Sequence, residues 1–97
     1  MIAVLTHHWA KKDRYQEAQM LLNRNGSAQG RSPGFIGRTS FISRTDPTMI
    51  SSLVIWENDE IYDQWKDSPE RKSTMRGAND LWSQPPLSER YDIIQSL

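Results

Sequence analysis

The sequence predicts an α+β fold of ferredoxin-like type, βαββαβ, with a four-stranded antiparallel sheet and both helices on one face. Three observations lead there. Apolar runs of strand length and stretches with helical periodicity follow one another in that order. The link between the second and third strands is a short turn around Asp46-Pro47, which suits a hairpin and not a crossover. Both side-chain parities of the strands carry apolar residues, so the sheet requires cover on both faces.

Met1 to Trp9 is short, apolar and free of glycine and proline, and reads as the first strand. Lys11 to Arg24 changes period: Tyr15, Ala18 and Leu22 share one helical face, with Leu21 beside them. Asn23 to Gly34 is rich in Asn, Gly, Ser and Pro and reads as a loop, with Gly26 as a left-handed helix cap. Phe35 to Arg44 is the second strand and Met49 to Glu57 the third. Asn58 or Asp59 caps a second helix whose inner face carries Ile61, Tyr62 and Trp65. Ser68-Pro69-Glu70 is a fresh helix start, with a hydroxyl cap, a proline where no N–H is needed and a carboxylate at the positive dipole end. The helix is expected to run, kinked, to about Trp82, with Met75, Ala78 and Trp82 inward, and to end at Pro85-Pro86. Tyr91 to Leu97 is then the last strand.

In strand two, Phe35 and Phe41 share one parity and Ile36 and Ile42 the other; in strand three, Leu53 and Ile55 oppose Ile50, Val54 and Trp56. Two helices cover one face only. The second face would expose a patch larger than soluble monomers usually show, and a second copy of the chain is its simplest cover.

The 97 residues suit a single domain, 1–97, with a modest core. Twelve acidic and twelve basic residues balance, so no global field attracts nucleic acid or an anionic membrane. No apolar run is long enough to cross a bilayer and none reads as a signal peptide, so a cytoplasmic protein is expected. Without cysteine, disulfides, zinc–thiolate sites and thiol nucleophiles are excluded. No phosphate loop, HExxH pair, GxSxG elbow or EF-hand loop is present, which argues against nucleotide binding, zinc proteolysis and serine hydrolysis.

The candidate site residues are mainly aromatic and imidazole groups. His7 and His8 are neighbours in a strand and point to opposite faces, so one reaches the space under the helices and the other the partner. Either suits proton transfer near neutral pH, but a hydrogen-bonded structural role at a strand end is the more common use of such an imidazole. Trp65 can wall a planar substrate or anchor the core; Trp9, Trp56 and Trp82 share that ambiguity, with core favoured for Trp56. Tyr15, Tyr62 and Tyr91 can donate a phenolic hydrogen bond, and Asn79 can orient a carbonyl. Trp9, Tyr62, Trp65, Met75 and Asn79 form the substrate-binding set. Arg38 and Arg44 alternate with apolar residues, which suits an anion site or edge-strand protection. Asp59, Glu60 and Asp63 read as helix N-terminal charges.

Pro33-Gly34-Phe35, Val54-Ile55-Trp56-Glu57-Asn58 and the run Tyr62-Asp63-Gln64-Trp65-Lys66-Asp67-Ser68-Pro69-Glu70 occur in an order and spacing that resembles the antibiotic biosynthesis monooxygenase (ABM) domain family of dimeric α+β barrels. The resemblance covers nearly the whole chain. It implies the same fold and a homodimer. It further implies one of two activities: cofactor-independent oxygenation of quinol-like or polyketide aromatic substrates, or haem binding and degradation. The haem-degrading branch carries its ligating histidine ten residues beyond the tryptophan that Trp65 matches, and Met75 stands there; its asparagine near the end of strand one is replaced by His7 and His8. Other members often have histidine just after Ser-Pro-Glu, where this chain has Arg71 and Lys72. The leading expectation is a monooxygenase-like protein for a small aromatic or quinol-like molecule, with His7 or His8 as base, Trp65 on the ring and no tightly bound cofactor or metal. Its rivals are a non-catalytic ligand-binding dimer and a haem protein.

Overall fold

The computed structural model describes residues 1–97. It contains β1 (Ile2–Ala10), α1 (Tyr15–Gln29), β2 (Phe35–Ile42), β3 (Met49–Trp56), α2 (Asp59–Lys66), α3 (Pro69–Thr74) and β4 (Trp82–Asp92), with 3-10 turns at Lys12–Arg14 and Ala78–Leu81. The sheet is antiparallel with order β2-β3-β1-β4, the ferredoxin-like arrangement. No helix is long and apolar enough to cross a membrane.

The even-numbered residues of β1 face the helices. Ile2 and Val4 pack with Val54, Trp56, Ala28 and Trp65, while Ala10 packs with Ala18, Leu21, Ile50 and Trp82. Trp56 is completely buried. A large apolar side chain buried this fully contributes roughly 1.5–3 kcal/mol.

Two caps form as the sequence indicates. Asn58 Oδ1 accepts from the Ile61 N–H at 2.9 Å, and Ser68 Oγ accepts from the Arg71 N–H at 3.1 Å with Pro69 in the first turn. The turn before β2 depends on Gly34: φ there is +79°, and a Cβ would come within 2.5 Å of the Ile61 side chain. Its carbonyl also accepts from the Glu57 N–H at 2.9 Å, tying this turn to the end of β3.

Four expectations are corrected. First, α1 continues through Asn23 to Gln29, and Gly26 lies inside it instead of capping it. The polar composition there marks a helix whose inner face is polar: Asn25 and Gln29 are buried. Second, the chain does not remain helical to Trp82. It turns through Gly77, with φ +79°, and Trp82 opens β4. Third, Pro85 and Pro86 lie within β4, and the strand ends at Asp92, not Leu97. An edge strand tolerates proline, and the β1–β4 register shifts between His7 and Trp9, opposite these prolines. Beyond it Ile94 and Leu97 are fully exposed, so local apolar composition did not make a strand without a pairing partner. Fourth, the β2–β3 register is irregular between Phe35 and Gly37. That irregularity places Phe35 beside Trp56, edge to face at 5.7 Å, while Phe41 pairs with Ser51 on the opposite face, so the two phenylalanines do not share a side.

Candidate functional site

Between the two apolar clusters the helix-facing side of the sheet turns polar. Ser88, Thr6, Ser52 and Ser40 stand in one row across all four strands. Thr6 and Ser88 share a hydroxyl hydrogen bond of 3.0 Å. Small hydroxyl side chains leave space where a packed core would place large aliphatic ones. The result is a cavity of about 460 Å³, floored by Thr6, Ser52 and Ser88 and roofed by the helices. Its size falls in the range of small-molecule sites.

The aromatic side of the cavity is built by α2 and β3. Trp65 is buried and stacks on Trp56 with ring centroids 6.1 Å apart and planes at 26°. Tyr62 lies 5.8 Å from Trp56. The Trp56 indole N–H is buried without a hydrogen-bond partner. Burial pushes the Tyr62 phenol up, with Arg90 and Arg71 opposing. Arg90 lies over the Tyr62 ring at 4.6 Å and is itself held by Asp59 at 3.0 Å and Asp63 at 2.6 Å.

His8 enters the cavity from β1 and packs against Trp82 at 4.6 Å. Its pKa falls from 6.5 to about 4: burial is the main cause, and Arg38, Arg71 and His7 add to it. The imidazole is therefore neutral at physiological pH, and these surroundings resist its protonation. His7 turns to the other face, where Nδ1 lies 2.6 Å from Ser51 Oγ.

Arg38 reaches the cavity from β2. Nη1 donates to Gln29 Oε1 at 2.6 Å and Nη2 to the Leu22 carbonyl at 3.4 Å. Its side chain crosses α1 over Gly26, where a Cβ would come within 2.7 Å of Nε. Arg38 therefore accounts for a glycine in the middle of a helix, which costs about 1 kcal/mol relative to alanine. Burial lowers the Arg38 pKa. Lys66, Arg71 and Lys72 also line the cavity, and no carboxylate does.

Of the residues singled out in the sequence, the fold brings His8, Tyr62, Trp65, Met75 and Asn79 together around this cavity. It does not bring His7 or Trp9, which lie on the opposite side of the sheet; their rings are 6.1 Å apart. Arg44 lies beyond the end of β2, so only Arg38 of that pair reaches the site. Met75 offers a thioether to the cavity, whose one imidazole is His8. No group of three or more His, Asp or Glu side chains is placed to hold a metal ion. Asn25, Gln29 and Arg71 were not marked as site residues. A buried polar stripe on α1 is legible only once that helix is known to continue past Arg24.

No curated protein sequence matches the chain. Solved structures match it closely in shape. A conserved protein from Methanosarcina mazei Go1 is 18% identical, with a TM-score of 0.86, over 93% of this chain and 89% of its own. Rv0793 from Mycobacterium tuberculosis is 14% identical, with a TM-score of 0.89, over 98% and 96%. SnoaB, a cofactor-independent oxygenase from Streptomyces nogalater, is 14% identical, with a TM-score of 0.87, over 99% and 95%. At these identities the likeness is one of fold. The sequence profile described as antibiotic biosynthesis monooxygenase matches residues 1–77, and the chain belongs to that family.

Proposed function

We propose that the protein is a monooxygenase that binds an electron-rich aromatic molecule in the cavity and promotes its reaction with oxygen without a tightly bound cofactor. The observation that carries this reading is a neutral, buried imidazole, His8, lining the same cavity as the Trp65 indole, with only cationic charges around it. Trp65 packs on the ring. His8 removes a proton from the phenol or from an acidic CH₂ beside the ring, and Arg38 and Arg71 stabilise the delocalised anion. As negative charge develops next to it, the imidazole becomes a stronger base than it is in the empty cavity. The anion then gives electrons to oxygen. For a CH₂ centre the balance is R₂CH₂ + O₂ → R₂C=O + H₂O: one oxygen atom stays in the new carbonyl and the other leaves as water. The cofactor-independent oxygenase among the structural neighbours supports this chemistry on the same fold.

Oxygen uptake with anthrone and a panel of hydroquinones, in metal-free buffer without flavin, tests the proposal. The expected result is oxygen uptake, with one atom of labelled oxygen in the new carbonyl formed from anthrone, reduced about 10²-fold or more in His8→Gln. Binding of these compounds without turnover would overturn it and leave a ligand-binding protein.

We further propose that the working unit is a homodimer joined through the open face of the sheet. There Leu5 pairs with Leu53, and Phe41, Leu87 and Tyr91 are among the exposed large apolar residues. A second copy would remove this surface from water.

A further inference from the structure

The chain as a whole is neutral, yet the cavity is not. Arg38, Lys66, Arg71 and Lys72 line it without one aspartate or glutamate. The ion pairs of the molecule lie elsewhere: Arg14 with Glu17, and Arg90 with Asp59 and Asp63. None of the four cavity cations has a carboxylate within ion-pair distance. Arg90, on the edge strand, is neutralised twice, whereas the more deeply placed Arg38 is not neutralised at all. Lys66 and Lys72 are exposed, but Arg38 and Arg71 are partly buried, and charges withdrawn from water are ordinarily paired.

Arg38 is also built in. Gln29, itself buried, spends its amide oxygen on one terminal nitrogen. The Leu22 carbonyl takes the other, and Gly26 clears the path of the side chain. Both partners are neutral, so they orient the guanidinium without cancelling its charge. A guanidinium has five N–H groups; two are engaged here, and those that remain can donate to a carboxylate.

We propose that the natural ligand of the cavity is an aromatic molecule carrying a carboxylate, seated on Arg38 with its ring against Trp65. This rests on the reading that the cavity holds an aromatic substrate, and it adds the group by which that substrate is chosen. Arg38 is the cavity cation that neutral partners hold in place, whereas Lys66 and Lys72 are exposed and screened by water, so one oriented guanidinium is matched by one carboxylate. A phosphate monoester brings a second charge, which is costly to desolvate beside buried apolar walls. Arg71 and the two lysines draw the anion in, and Arg38 fixes its orientation.

The test is a titration of tryptophan fluorescence with three probes that oxygen does not attack under these conditions: 2-naphthoate, 2-naphthamide and 2-naphthyl phosphate. The wild-type protein is expected to bind 2-naphthoate at least tenfold more tightly than the neutral amide. Added salt should weaken 2-naphthoate binding and leave the amide unaffected. Arg38→Gln should remove the preference while keeping amide affinity within about twofold, the pattern expected from loss of a single charge-assisted contact. If Arg38→Gln fails to fold, Gly26→Ala offers a second route, since the new Cβ displaces the guanidinium and should lower 2-naphthoate affinity selectively. Equal affinity for carboxylate and amide, or tighter binding of the phosphate, would overturn the proposal. These probes report binding alone. Their failure leaves the oxygenase reading to its own assay, and failure of oxygen uptake with preserved 2-naphthoate selectivity would sink the chemistry but not the anion site.

Discussion

Two faces of one sheet, built from alternate residues of the same strands, have opposite chemical characters. The covered face holds His8 among cations, hydroxyls and indoles; the open face holds His7 on Ser51 among leucine, isoleucine and phenylalanine. The two histidines are consecutive in the chain, so composition cannot separate them. The pleat does. On the covered face, the helices bury the apolar clusters while a row of small polar residues keeps space open between them. On the open face no helix lies over the sheet, and its exposed apolar side chains form the surface proposed to meet a second copy.

The largest test of the contrast is Trp65→Ala. Trp65 is buried and stacked on Trp56, so truncation should cost about 3–5 kcal/mol in urea unfolding and abolish aromatic binding. A cost below about 1 kcal/mol would mean that the covered face is less packed than it is here. On the open face, Leu53→Glu is expected to weaken self-association at least a hundredfold, about 2.7 kcal/mol, in analytical ultracentrifugation, with the monomer still folded. A parent protein that is monomeric at micromolar concentration would remove the open face's proposed role.

The two histidines sharpen the comparison by pH. His8 has its pKa lowered from 6.5 to about 4, so the unfolded chain binds a proton that the native protein refuses. Its contribution to stability is complete above about pH 6.5. It is lost as pH falls from there to about 4, by up to about 3 kcal/mol. Urea midpoints at pH 7 and pH 4 should therefore differ less in His8→Gln than in the parent. A matched His7→Gln variant that shows the same flattening would refute the assignment to the cavity side. The smallest effect lies away from both faces: Ser68→Ala removes the cap of α3 and should cost about 1 kcal/mol, with little change in ligand affinity. A larger loss of affinity would mean that α3, which carries Arg71 and Lys72, is held in place by that one hydroxyl.

Local signals made much of this legible. Alternation gave the strands and their two faces, the Asp46-Pro47 turn gave the hairpin, and Asn58 and Ser68 announced their helices through capping chemistry that acts within four residues. Opposite orientation of His7 and His8 followed from strand geometry alone. The errors have a common origin. Gly26 resembled a helix cap because its reason for being small, the Arg38 side chain, is twelve residues away in sequence. Pro85 and Pro86 resembled a terminator because only pairing with β1, more than seventy residues earlier, and the register shift there show how a strand accommodates them. Phe35 changed face because β2 carries an extra residue between Phe35 and Gly37 in its pairing with β3.

The sequence by itself determined the fold class, the order of its elements and the presence of aromatic and imidazole groups that a site would need. Only the tertiary structure decided which of them share a cavity and that its charges are all of one sign. Periodicity and capping are properties of neighbouring residues and survive in a one-dimensional string. A cavity is a property of packing between distant segments: the hydroxyl row belongs to four strands and the unpaired Arg38 to a strand and a helix, and they become a site when the chain folds.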